Sequence, residues 1–302
     1  MGKYLNILTG LFLFTALSAQ DVPYIHNIDQ YVNNGLILNP AYAGSREALS
    51  TTIMHRSQWL GFEGAPSSQI LAAHTPMKNE NVALGFMFDN FSVPAVQYNS
   101  LFFNYAYRVW IKDSRLSLGL KAGGYVFNPS SEIPDLKDKV DPAFETGRLG
   151  FAPNFGAGAY LYNKKYFLGL SVPFFMSQTK ISKVNFDLNN YHFMFTAGYL
   201  FDFGPNFKIK PVTLVDYNKY NLSYQFATHL ILFRDAVWLG SAYKSNKEVT
   251  FMLGVQLSTA LKIGLAYDYS LSDIAKFSHG SGEIMIRYEL KYKANVDNSF
   301  YF

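Results

Sequence analysis

From residue 48 onward, apolar and polar positions alternate with a period of two, in runs of about ten residues, the length of a tilted transmembrane strand. Val249, Phe251, Leu253, Val255 and Leu257 fall on one face, with Thr250, Met252, Gly254 and Gln256 on the other. Leu261, Ile263, Leu265, Tyr267 and Tyr269 then oppose Lys262, Gly264, Ala266 and Asp268. Earlier, Leu116, Leu118, Leu120 and Ala122 oppose Ser117, Gly119, Lys121 and Gly123. The pattern predicts strands at 48–59, 68–76, 82–90, 97–110, 114–127, 152–162, 166–176, 191–201, 207–217, 220–233, 237–243, 249–257, 261–269 and 281–290. A soluble sandwich alternates as well, so the connections carry more weight. The short ones, such as 77–81, 111–113, 163–165 and 258–260, all follow even-numbered strands, and the long ones, 60–67, 128–151, 177–190 and 270–280, all follow odd-numbered strands. Tyr166, Tyr191, Tyr199, Phe201, Tyr217, Tyr220, Tyr243, Tyr267 and Tyr269 lie at or near strand ends, as interfacial girdles require. The expected fold is all-β: a transmembrane antiparallel outer-membrane β-barrel of about 14 strands with periplasmic termini. The brief link at 218–219 and the short run 237–243 leave the count open by one hairpin.

Composition narrows the classes. Only 16% of the 302 residues are charged and 17% are aromatic, against roughly 25% charged in soluble domains. A mean hydropathy of +0.00 leaves no apolar excess for a bundle of membrane helices. The net charge of +4 comes without a basic run, so nucleic acid is not an expected partner. With no cysteine, a disulfide framework, a thiol nucleophile and a lipidated cysteine anchor are excluded. At the start, Lys3, the apolar stretch from Ile7 to Leu17 and the small residues Ser18 and Ala19 have the layout of a cleavable secretory signal. The expected organisation is a signal peptide at 1–19, a periplasmic or lumenal segment at 20–47, the barrel at 48–290 and a periplasmic tail at 291–302.

Catalytic and metal-binding patterns are weak. His279, near Ser278, Ser281 and Glu283, sits among glycines that read as a turn. The histidines at 26, 55, 74, 192, 229 and 279 have no metal-ligand spacing, and His192 and His229 read as polar residues facing the lumen. Glu132, Asp135, Asp138 and Asp141 lack the glycine turn and bidentate glutamate of a calcium loop. Gly156-Ala157-Gly158 is strand, with no helix to make a phosphate cradle. No catalytic residue, cofactor or metal is expected. Arg56 and Gln58 share the inward parity of Ser50, Thr52 and Met54, and Arg56 is open to pairing with an interior carboxylate. Trp59 and Phe62 would sit near the outer interface. Inward glycines at 85, 119, 123, 156, 158, 198, 254 and 264 spare volume, leaving room for a plug or an inserted polypeptide.

Several motifs resemble one family. Asp29-Gln30-Tyr31, then Leu38-Asn39-Pro40-Ala41-Tyr42-Ala43-Gly44-Ser45, is similar to the N-terminal signature of the PorP/SprF outer-membrane proteins of the type IX secretion system. The run from His55-Arg56-Ser57-Gln58-Trp59 to Gly64-Ala65-Pro66, continuing to His74-Thr75-Pro76, resembles the second signature. Asp141-Pro142-Ala143-Phe144, Pro153-Asn154-Phe155-Gly156, Gly264-Leu265-Ala266-Tyr267-Asp268-Tyr269-Ser270 and Gly280-Ser281-Gly282-Glu283-Ile284 resemble the rest in order. The resemblance implies a barrel that binds, anchors or helps to export large surface proteins, such as gliding adhesins, through their C-terminal domain, alongside periplasmic components of the secretion machinery. Asn39, Pro40, Tyr42, Arg56, Gln58, Trp59, Gly254 and Gly264 are the candidate partner-binding residues, from these motifs and the lumen lining. The alternative is a passive porin or small-solute transporter.

Overall fold

The computed structural model describes residues 28–94, 96–129, 150–175 and 191–290. The alternation becomes fourteen spanning strands closed into an antiparallel barrel. They are β1 (Leu49–Ser57), β2 (Ser67–Pro76), β3 (Val82–Val93), β4 (Val96–Ile111), β5 (Ser114–Pro129), β6 (Gly150–Tyr162) and β7 (Tyr166–Val172). The second half comprises β8 (Phe193–Tyr199), β9 (Phe207–Tyr217), β10 (Leu222–Leu232), β11 (Val237–Lys244), β12 (Glu248–Gln256), β13 (Leu261–Ser270) and β14 (Ser281–Leu290). A two-residue extension, Phe201–Asp202, continues beside β9. Strand β14 pairs with β1 from Leu49↔Leu290 to Ser57↔Gly282, which closes the sheet and removes its edges.

Several strand ends differ from the periodicity by one to four residues, among them those at β7, β8 and β10. Strand β7 stops at Val172, before Pro173, which has no N–H to continue the ladder. Tyr191 and His192 precede β8; Tyr191 is buried against Phe175 (5.5 Å between ring centres), so it is no part of an interfacial girdle. The link after β9 is a turn over 218–221, in which the Asn218 side chain accepts hydrogen bonds from the backbone N–H groups of Tyr220 and Asn221 (2.9 and 2.7 Å). Such an Asx-type closure substitutes for a backbone turn.

Facing follows parity. Ile53, Leu118, Leu120, Phe251, Leu253 and Leu265 are exposed around the outside, while Ser50, Thr52, Met54, Arg56, Lys121, Thr250 and Asp268 are buried inside. Tyr199, Phe201, Tyr217, Tyr220, Tyr243, Tyr267 and Tyr269 are exposed on the outer wall. An exposed apolar belt of this extent is the mark of a membrane surface. The protein is an outer-membrane barrel. The expected signal peptide, His26, the acidic run at 132–141 and the expected tail at 291–302 lie outside the described residues.

The interior holds a length of the chain's own backbone. Residues 28–47 run through the lumen as three short 3-10 turns, Tyr31–Asn33, Gly35–Ile37 and Pro40–Tyr42, before entering β1. Leu36 and Ala41 are completely buried, and Ile28, Tyr31, Leu38 and Tyr42 nearly so. The apolar core of the molecule thus lies between this segment and the inner wall.

Candidate functional site

The lumenal segment and the charges that grip it form the site. At Asn39-Pro40 the proline disfavours helix at the residue before it, and Asn39 adopts an extended conformation (φ −140°, ψ 115°). Its Oδ1 accepts from the Ala41 N–H (2.9 Å), capping the turn, while Nδ2 donates to the carbonyls of Ala159 and Leu170 (3.0 and 3.3 Å). One side chain therefore starts a turn and ties it to β6 and β7. Tyr42 meets His74 and Tyr160 edge-on at 5.3 and 5.6 Å. Gly44 takes a positive φ of 76°, and its N–H donates to His74 Nδ1 (3.1 Å).

The inward glycines accommodate these contacts. A Cβ at Gly119 would collide with the backbone of Pro40 and Ala41, at Gly158 with the Asn39 amide, and at Gly264 with Gln30. At Gly85 it would press on Leu36 at 3.2 Å. The volume at Gly123, Gly198 and Gly254 is taken by Phe102, Phe167 and Trp238, and at Gly156 by the backbone of Pro173. The space expected from these glycines is occupied within the chain itself.

Three charged groups fasten the segment. Near the long-loop end, Arg56, the penultimate residue of β1, pairs with Asp29, with Asp268 (2.5 Å) and with Glu283 (3.5 Å). Lys244 pairs with Asp29, with Asp268 (3.1 Å) and with Glu248 (3.4 Å). Glu283 also accepts from the backbone N–H groups of Asp29 and Gln30 (3.0 and 3.1 Å). Arg56 therefore does pair with interior carboxylates, and one of them belongs to the segment. Lower in the lumen, Arg46 donates to Glu289 (2.7 Å), and Arg287 donates to the Asn33 carbonyl (3.0 Å). At the short-turn rim, Glu47 bridges Arg108 and Arg115 (2.8 and 2.6 Å), which also donate to the Glu80 carbonyl (2.5 and 2.9 Å). Buried charges of this kind are tolerated because each is paired and hydrogen-bonded.

Burial pushes the Asp29 carboxyl up to about 7, against the pull of Arg56 and Lys244 and with the push of Glu283 and Asp268. A carboxyl that holds its proton more tightly when docked stabilises the docked state at low pH. That contribution is complete below the ordinary value of 3.8 and is lost as the pH rises to about 7. The stability of the wild-type barrel relative to Asp29→Asn, read as the difference between their thermal unfolding midpoints, should therefore fall between pH 5 and pH 8. A difference that stays constant or grows over this interval would contradict the assignment.

Of the residues singled out from sequence, Asn39, Pro40, Tyr42, Arg56, Gly254 and Gly264 are buried inside the barrel, whereas Gln58 and Trp59 are half-buried just beyond β1. Trp59 stands edge-on to Phe62 (6.3 Å), and its backbone N–H donates to Ser281 Oγ (3.2 Å). Glu283, on β14, serves Arg56 and the segment, while the backbone N–H of His279 donates to the Leu60 carbonyl (2.7 Å) and so joins the loop before β14 to the loop after β1. His229 is buried in the lumen, and His192 faces Asp216 (2.9 Å). The anchoring roles of Asp29, Arg46, Glu47, Lys244, Glu283 and Glu289 were missed from sequence. For Lys244, Glu283 and Glu289 the signal was charge at inward parity on strands expected to face an apolar bilayer outside; Asp29, Arg46 and Glu47 precede β1 and carried no such signal.

The comparisons agree with this architecture. A family profile described as "Type IX secretion system membrane protein PorP/SprF" matches residues 18–288. No curated protein sequence matches the chain. Among solved structures, the Ralstonia pickettii toluene transporter TbuX is similar over 84% of this chain and 92% of its own, with a TM-score of 0.53 and 12% identity. The CymD monoaromatic hydrocarbon channel is similar over 87% of this chain and 92% of its own, with a TM-score of 0.50 and 14% identity. At such identities the likeness is one of fold.

Proposed function

Because the chain belongs to the PorP/SprF family of type IX secretion system membrane proteins, we propose that it is a docking barrel rather than a conduit. In this role it binds large surface proteins, gliding adhesins among them, through their C-terminal domain, and it anchors them or helps to export them. The observation that carries this reading is the lumenal segment itself. Residues 28–47 are continuous with β1, packed against inward glycines and fastened by three groups of buried ion pairs. A barrel filled in this way offers its two rims to partners. Gln58 and Trp59 stand at the long-loop rim, where a cargo domain on the cell surface would meet them. Asn39, Pro40, Tyr42, Arg56, Gly254 and Gly264 contribute from inside, by setting the shape of the segment and the wall behind it. The opposite rim, with the short turns, would face periplasmic components of the machinery.

The test pairs two measurements on the native protein. Affinity purification from native outer membranes should recover a surface protein through its C-terminal domain, and Trp59→Ala should lower that recovery several-fold per folded barrel. In planar bilayers the purified protein should show little single-channel conductance. Large, steady conductance with no co-purifying surface protein would favour a passive porin or small-solute transporter.

A further inference from the structure

A second site stands apart from the docking role and does not depend on it. Between the rim turns 233–236 and 257–260, at the short-turn end of the lumen, lies a cavity of about 380 Å³, within the usual size range of small-ligand sites. Its charge is one-sided. Lys210, Lys262 and Arg234 line it, and the one carboxylate in its wall among the described residues, Asp235, accepts from Lys208 (2.7 Å). Arg287, the cross-strand neighbour of Lys262, adds further positive charge behind it. One wall is apolar and aromatic, made by Ile231, Ala236 and Trp238. The Trp238 indole lies against Gly254, where a Cβ would collide with it, and the Lys262 ammonium stands over its ring at 4.2 Å.

The cavity is also lined by polar groups left without partners among the described residues. His229 is 2% exposed, and neither of its ring nitrogens has a hydrogen-bond partner among the described residues. The Trp238 Nε1–H and the Asn33 Nδ2 group, both on buried side chains lining the same cavity, are likewise unsatisfied. Buried polar groups are nearly always hydrogen-bonded, and an orphaned one calls for a partner. Several orphans around one cationic, half-aromatic space call for the same kind of partner: an anion able to accept several N–H bonds while resting an apolar body on a tryptophan.

We propose that this cavity binds a carboxylate carried on an apolar body. Its oxygens would accept from Lys210, Lys262 and His229, and its apolar part would lie along Trp238 and Ile231. Such a carboxylate has two sources, a free organic acid or an acidic side chain beside an apolar residue in a polypeptide. Both reach the cavity from the rim.

The test titrates phenylacetate, the capped dipeptide N-acetyl-Glu-Phe-amide and inorganic phosphate into the purified full-length barrel in detergent, read by calorimetry and by tryptophan fluorescence. Saturable binding of phenylacetate or the dipeptide is expected, with phosphate weaker by about tenfold or more because it leaves the aromatic wall uncovered. Lys210→Gln with Lys262→Gln should weaken the organic ligands by about tenfold or more, as loss of charged hydrogen bonds requires. Asn33→Asp offers a second variant: it places a carboxylate inside the cavity beside Lys262, which should keep the barrel folded and still abolish binding. Tighter binding of the dipeptide assigns the carboxylate to a polypeptide, and tighter binding of phenylacetate assigns it to a free acid; both support the site. Absence of saturable binding, phosphate as tight as either organic ligand, or affinities unchanged in Asn33→Asp would overturn it.

Discussion

Arg56→Leu is expected to destabilise the purified barrel by about 3–5 kcal/mol, the usual consequence of removing one partner from a buried ion group. The guanidinium answers three carboxylates, Asp29, Asp268 and Glu283, all nearly fully buried. Without it Lys244 alone remains close to Asp29 and Asp268, and the surplus negative charge has no route to water. Arg56→Lys should recover only part of the loss, because a lysine at this position offers a single point charge in place of the planar fork that sets separate N–H groups on Asp29 and Asp268. Urea unfolding of the wild type, Arg56→Leu, Asp268→Asn and the double variant gives a double-mutant cycle. Asp268→Asn in the Arg56→Leu background should restore stability, since it removes one of the uncompensated charges. Strictly additive losses would mean that these side chains act independently and that the segment is held elsewhere.

The second large effect concerns shape. Gly119→Leu should expel the lumenal segment while leaving the barrel wall intact. A side chain there points at the backbone of Pro40 and Ala41, which has no flexible end to move aside. Overpacking where flexible side chains can yield costs about 1–3 kcal/mol; a leucine driven into rigid backbone exceeds that range, and displacement of the segment relieves it. Arg46, 2% exposed in the docked state and the sole basic residue between 28 and 47, makes the change easy to follow. Trypsin should cut after Arg46 in the variant and spare it in the wild type. Bilayer conductance should rise in step. Ala122→Leu, on the same strand but facing outward, should change neither quantity. Protection of Arg46 in Gly119→Leu would show that the segment can shift without leaving.

Most of the barrel wall was legible because a strand exposed to lipid on one face writes its environment into every second residue. Leu253 and Leu265 outside, Thr250 and Asp268 inside, needed no partner to be assigned. At two of the boundaries that moved, a local device overrides the period: Pro173 ending β7, and the Asn218 side chain closing a turn where a strand was expected to begin. The lumenal site was far less readable. Asn39-Pro40 announces a turn, yet nothing local says that the turn lies against Gly119, Gly158 and Gly169, which stand far along the chain and come together only when the barrel closes. Glycines at inward parity signal spare volume with room for a plug or an inserted polypeptide, but a missing side chain does not say which segment fills the gap. The charges carried a better clue. Arg56, Arg108, Arg115, Lys244 and Arg287 all sit at inward parity, and the acidic residues that balance them include Asp29 and Glu47, outside every strand.

The seam between β1 and β14 also bears on how the molecule is made. The two acidic side chains that catch the segment from the far end of the chain, Glu283 and Glu289, both lie on the final strand and hold Asp29, Gln30 and Arg46. Closure of the sheet and seating of the segment therefore share one strand: a chain cut short before β14 would lack both the seam with β1 and the carboxylates that receive the Asp29 and Gln30 amides and the Arg46 guanidinium.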